Sequence, residues 1–415
     1  MNRCYLLLLV IGSLAADWPG WRGPTGQGQT EDAKLPIVWG GKENTNVLWK
    51  VPLPGVEAGA GQDQNQSSPV VFRDRVYVTA SHWPGKPDNT KKPEHRVACY
   101  RLSDGKELWN VPLPAGPWQF GDLRGGYTAP TPAVDAERVY VAFGSSVLAA
   151  LDHTGAIRWR KEIVPHKFDV AFAASPVLFK ETVILQCDQL DRESRILAFD
   201  RATGEPKWEQ KRPKVGFAHS TPTLATIGGK PQLLVSASNA LQGLDPRTGE
   251  ILWTCEAKGD TVSPVFAGGL VYCDSGRGGP GIAVDPTGMG DVAKTHRKWT
   301  IKTVKEGYGS PVASGDFLYR LSNPDVLACI RVSTGEVVYT ERLPGVSASA
   351  SPVATPNGRV YFASAGKSYV VKAGEKLEIL STNDLGDGGP ASPAIADGKL
   401  ILKGRKWLFC VGTDK

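Results

Sequence analysis

Several patterns that would announce chemistry are missing from this chain. Two methionines in 415 residues leave no Met-rich, adaptable packing surface. Six histidines, His82, His95, His153, His166, His219 and His296, show neither H-E-x-x-H nor H-x-H spacing, which excludes the usual zinc signatures. Gly23-Pro24-Thr25-Gly26-Gln27-Gly28-Gln29-Thr30 approaches a phosphate-binding loop, but Gln29 stands where the lysine is needed and no strand precedes it. Gly276-Arg277-Gly278-Gly279-Pro280-Gly281 lacks the helix that follows a dinucleotide turn. Both read as loops. No cysteine neighbours another, and beyond residue 16 no apolar run approaches the roughly 20 residues that a membrane span needs.

What is present points to export and to a turn-rich β fold. Residues 1–16, MNRCYLLLLVIGSLAA, combine Arg3, a short apolar run and small residues at Ser13, Ala15 and Ala16, the layout of a secretory signal. We therefore expect a signal peptide over 1–15, a periplasmic or secreted protein, and no transmembrane segment after cleavage. The formal charge of +6 is scattered. Its densest patch, Lys86 to Arg96, is broken by Pro, Asp and Glu and carries no interleaved aromatic, so nucleic acid is not an expected partner. Glycine (47) and proline (31) are abundant, as tight turns require.

Two signatures repeat. Ser-Pro or Thr-Pro precedes a short apolar run at Ser68, Thr131, Ser175, Thr221, Ser263, Ser310, Ser351 and Ser392. A small-apolar strand then runs into a Gly turn and an aromatic, as in VLAALDHTGAIRW to Trp159. A period of about 40 to 50 residues with four strand-length runs per unit is the mark of a propeller blade. Pro cannot donate to a ladder, so it belongs at the start of an innermost edge strand. The sequence thus predicts an all-β, eight-bladed β-propeller of four-stranded antiparallel blades over 46–415, with 16–45 packing on it. The eighth unit supplies only three runs before the chain ends, and Asn46 to Val51 matches the missing fourth. The last blade should be closed by this N-terminal strand, which removes open edges. Cys99, Cys329 and Cys410 share one repeat position with Ala150 and Ala198, and so read as small buried side chains instead of disulfide partners.

The strand, D-x-x-T-G turn and Trp unit resembles the tryptophan-docking repeat of the PQQ-like (pyrroloquinoline-quinone repeat) β-propeller superfamily, over nearly the whole mature chain. The resemblance implies that Trp49, Trp109, Trp159, Trp208, Trp253 and Trp299 dock between blades, with Tyr339 and Leu380 as substitutes. It also implies two unlike functional classes: BamB-like scaffolds without catalysis, and quinoprotein dehydrogenases that hold PQQ with calcium. Quinoprotein alcohol dehydrogenases carry a vicinal Cys pair that this chain lacks, and the blades are near minimal. The expectation is a non-catalytic scaffold with no cofactor, meeting a protein partner in the cell envelope or a small ligand on its top face. PQQ with calcium is the alternative, and a carbohydrate-binding module using Trp83, Trp118 and Phe120 a third. Repeat geometry places candidate binding residues at the channel mouth: Gln66, Tyr127, Phe172, His219, Asp260 and Tyr308, with no catalytic or metal-ligating residue assigned.

Overall fold

A computed structural model describes residues 17–163, 172–190 and 193–413; the expected signal peptide lies outside them. Among the described residues there is no helix, and the strands form eight antiparallel sheets arranged as the blades of one propeller. The second blade is typical: Ala133–Val134, Arg138–Phe143, Val147–Asp152 and Ile157–Glu162 follow one another as a meander. Its second and third strands are buried almost throughout, whereas the outermost is half exposed. Blades packed face to face bury both sides of their central strands, which is why those read as unbroken Val, Leu and Ala instead of alternating. Two blades carry additions. Gly61–Gln62 extends the first, and Gly290–Asp291 lies parallel beside Trp253 and Thr254 in the fourth.

The eighth blade holds Ala394–Ala396, Lys399–Lys403 and Trp407–Val411, and its fourth strand is Val47–Pro52. The register runs from Val47 opposite Val411 to Pro52 opposite Trp407. The chain therefore closes its own ring.

A second closure runs around the inner strands. The Ser68 backbone N–H donates to the Thr131 hydroxyl, Thr131 to Ser175, Ser175 to Thr221, Thr221 to Ser263, Ser263 to Ser310, Ser310 to Ser351, Ser351 to Ser392, and Ser392 back to Ser68, all at 2.9 to 3.1 Å. Eight hydrogen bonds link eight blades in a circle. Each N–H would otherwise be an orphan, because the following proline offers no ladder there and the position is buried.

Between blades the indoles lie against turn glycines. The Trp49 ring approaches Gly105, Trp109 Gly155, Trp159 Gly204, Trp208 Gly249 and Trp299 Gly335, so closely that a Cβ on any of these glycines would stand 2.5 to 3.0 Å from the ring. Four indole N–H groups donate to the turn's carbonyls: Trp49 to Leu102, Trp109 to His153, Trp159 to Arg201 and Trp299 to Val332. Opposite each indole, across the strand pair, is a small residue: Cys410, Cys99, Ala150, Ala198 or Ala283. The six described cysteines are free and buried.

Two positions differ from the repeat reading, at Trp253 and in the seventh blade. Trp253 donates to Gln232 Oε1 of its own blade at 2.8 Å, while Gly288, in the corresponding turn of the next blade, faces His296 and Val292. The inserted strand at Gly290 covers the Trp253 edge instead. Tyr339 takes the indole's place in the sixth blade, opposite Cys329. In the seventh, the bulge puts Ser381 in the indole register, opposite Val370, and Leu380 on the bulge itself. Trp39, from the N-terminal segment, fills that place: it is 2% exposed and stacks on Tyr361 at 6.4 Å and 14°. Tyr77, Tyr140 and Tyr272 meet the indoles of their own blades at 5.7 to 6.2 Å.

Candidate functional site

Extended chain alternates its side chains, and that alternation builds the channel. The ring residue of each blade looks toward the axis, and so does the residue two positions before it. Those residues are Gln66, Ala129, Ala173, His219, Thr261, Tyr308, Ser349 and Pro390, and all eight line one cavity of about 440 Å³. Below them, five of the ring hydroxyls, Ser175, Thr221, Ser263, Ser351 and Ser392, line the same space. Arg124, Gly125 and Arg277 reach it from the longer loops, and Trp21 completes the lining from the N-terminal segment.

Of the six mouth residues expected from the sequence, the cavity brings together Gln66, His219 and Tyr308. Tyr127 and Phe172 are buried instead, at 0% and 1% exposure, in an apolar cluster with Trp83, Phe120 and Trp159. Asp260 lies one step off the alternation. Its carboxylate is buried, which raises its pKa, and the Arg277 guanidinium at 2.8 Å opposes that rise. Its backbone carbonyl accepts the His219 N–H. Arg277 also stands over the Phe217 ring at 5.5 Å. The Tyr308 hydroxyl donates to Glu306 at 2.6 Å, which raises the phenol's pKa, and its ring is 44% exposed at the mouth. The aromatics considered as a sugar platform are interior: Trp83 and Phe120 belong to the buried cluster and Trp118 packs against it.

The other end of the channel is crossed by residues 17–32, within the 16–45 segment that the sequence assigns to packing on the propeller. Trp18 exchanges both backbone hydrogen bonds with Val71 of the first blade. Val134 of the second donates to the Pro19 carbonyl, Phe266 of the fifth to Gln27 Oε1, and Gln29 Nε2 donates to Ala313 of the sixth. Gly28 and Thr30 bracket Ala354 of the seventh, and Asp32 accepts from Gly398 of the eighth. The segment thus satisfies backbone groups on inner edge strands. Arg22 is inserted with it, 1% exposed, donating to the carbonyls of Gln27 and Pro311. Burial pulls its guanidinium pKa down to about 9. The near phosphate loop of 23–30 is this same segment. A Cβ on Gly28 would meet the Pro352 carbonyl and the Arg22 guanidinium, so close packing accounts for its glycine.

The donor set decides what the cavity can hold. Its lining offers two guanidiniums, one imidazole, one amide, hydroxyls and two aromatic rings, with no carboxylate among the described residues. Nor does any group of three or more His, Cys, Asp or Glu among the described residues have metal-binding geometry.

A family model described as outer membrane protein assembly factor BamB matches residues 93–341, more than half of the chain. The crystal structure of BamB from Moraxella catarrhalis superimposes with a TM-score of 0.60 at 14% identity, covering 88% of this chain and 97% of that one. A quinohemoprotein alcohol dehydrogenase from Pseudomonas putida gives 0.54 at 13% identity, with 96% and 81% coverage. Among curated proteins, the serine/threonine-protein kinase AfsK of Streptomyces griseus is 27% identical over 297 residues. That match takes in 67% of this chain but 30% of the kinase, so the chain spans under a third of that relative. At such identities the solved structures establish the fold and nothing finer.

Proposed function

We propose that this chain, which belongs to the PQQ-repeat family described as outer membrane protein assembly factor BamB, is an exported recognition scaffold without chemistry of its own. It takes a protein segment or small ligand of the cell envelope into the mouth of its channel. One observation carries the reading: eight equivalent positions, two residues before the hydroxyl ring, wall a cavity of about 440 Å³ to which the chain's own Trp21 also contributes. Such a cavity on a doubly closed ring is preorganised, so little ordering cost falls on binding. Loops of unequal length around it, carrying Arg124, Arg277 and the exposed Tyr308, supply the individuality that recognition needs. Export rests on the layout of residues 1–16. The glycine-docked indoles act in this reading as staples that hold the mouth rigid.

The PQQ and calcium alternative is tested by the donor set. Calcium takes six to eight oxygens, rich in carboxylates, whereas the described residues of this cavity present guanidiniums and hydroxyls and no acid. The described residues do not fit the metal.

A photoreactive phenylalanine analogue placed at Tyr308 tests the proposal against one placed at Val337, exposed on an outer strand. In intact cell envelopes the Tyr308 probe should give a discrete adduct that an added Arg277→Glu substitution removes, while the Val337 probe gives none. Equal labelling from both positions would sink it.

A further inference from the structure

A second concave surface lies on the opposite side of the molecule, between the sixth and seventh blades. It is a groove of about 520 Å³ formed by the first hairpin of the sixth blade, the turns of the seventh and Gln29 to Glu31 of the N-terminal segment. The chain's own repeats tell what such a groove is shaped for. Between the first and second blades the equivalent place is filled by a stacked pair: Phe72, last residue of an inner strand, lies on His153 of the next blade's turn at 5.7 Å and 9°. Register assigns their counterparts. Phe72 pairs with Arg75 as Ser314 pairs with Phe317, and His153 follows the partner of Arg138 as Ala373 follows the partner of Arg359. At the sixth and seventh blades two rings are therefore replaced by Ser314 and Ala373, and both residues line the groove.

Much of the remaining lining is small, from Ala313, Gly315, Ala354, Gly358 and Gly374, with Thr355, Pro356 and the Phe317 ring beside them. A Cβ on Gly374 would meet nothing within 4 Å. Two carboxylates, Glu31 and Asp316, stand at the rim, both on exposed residues and neither ion-paired among the described residues, and no Lys, Arg or His lines the surface. Arg331, which lies over Phe317 at 5.3 Å, is already engaged by Glu336 and Glu375. A planar slot that a ring pair fills elsewhere in the same ring, edged by uncompensated acid, suits an aromatic side chain with positive charge beside it.

We propose that this groove docks a segment of a partner protein presenting one aromatic residue flanked by Lys or Arg. Docking here is independent of the mouth, which lies at the other end of the channel. The probe is an end-blocked Lys-(5-fluorotryptophan)-Lys peptide, titrated with the full mature chain and followed by fluorine NMR, where only the peptide is seen. A saturable shift is expected. Ser314→Phe, which supplies the ring that Phe72 supplies elsewhere, should weaken it by about tenfold or more, and Asp316→Lys by a similar factor. A Glu-flanked probe should not saturate, and Tyr308→Ala at the mouth should change nothing. Should Ser314→Phe fail to fold, Asp316→Lys on an exposed side chain carries the test. Absence of saturable binding, an affinity indifferent to both groove substitutions, or binding lost in Tyr308→Ala would overturn the proposal.

Discussion

Breaking one link of the hydroxyl ring is the sharpest perturbation the fold offers. In Ser310→Ala the Ser263 N–H, which donates to the Ser310 hydroxyl at 3.0 Å, loses its acceptor at a site where both residues are 1% exposed. An orphaned buried donor costs about 1 to 3 kcal/mol. Ser310→Ala and Ser263→Ala should therefore each cost about 1 to 3 kcal/mol. Ser310→Thr should be close to neutral, since Thr131 and Thr221 make the same link at 2.9 to 3.0 Å. Urea unfolding of the three variants, with unchanged slope, measures the differences. If Ser310→Ala matches Ser310→Thr within about 0.5 kcal/mol, the ring contributes nothing and the reasoning fails.

The other expectations concern staples, seam and pH. Gly335 has φ of +74°, and a Cβ there would stand 2.6 Å from the Trp299 indole. Gly335→Ala should therefore destabilise by more than the roughly 1 kcal/mol of a strained glycine alone, read as a lowered urea midpoint. Removing residues 44–52 deletes the strand paired with Trp407–Val411, so the shortened chain should aggregate or melt far lower; an unchanged melting curve would refute closure. Lys403 is buried, donating to the Ser67 hydroxyl and the Thr79 carbonyl, and desolvation lowers its pKa from 10.5 to about 7, with Asp63 pulling the other way. A folded pKa below the unfolded one means that the unfolded chain binds more protons between about pH 7 and 10.5, so stability rises with pH across that window. Lys403→Met should flatten that rise and stabilise the protein below pH 7, which urea midpoints at pH 6 and 9 would check.

Much of this was legible in the sequence because the repeat is chemically rigid. Ser/Thr-Pro answers a backbone demand that recurs in every blade, and an indole docked on a turn glycine recurs at five of the junctions, so the pattern stayed in register along the chain. The seam was visible for the same reason: an orphan fourth strand at one end matched a missing one at the other. The hydroxyl ring was not anticipated, since the proline drew attention to the strand edge while the donor and acceptor both belong to the residue before it. At the mouth, alternation decides which residues face the axis. Gln66, His219 and Tyr308 sit two before the ring residue, whereas Tyr127, Phe172 and Asp260 sit three or four before it. A fixed offset would have found Ala129, Ala173, Thr261, Ser349 and Pro390, whose side chains carry no chemical flag. Trp39 escaped because its partner Tyr361 lies in a blade hundreds of residues away, which no local pattern encodes.

Recognition without catalysis is the central claim, and loading the purified protein with PQQ and Ca²⁺ tests it most directly. Absorbance after gel filtration reports binding, and dye-linked oxidation of alcohols and sugars reports turnover. A cavity without a carboxylate among its described lining residues predicts that calcium is not retained and that no oxidation exceeds the protein-free control. Stoichiometric cofactor binding with calcium-dependent turnover would contradict the account.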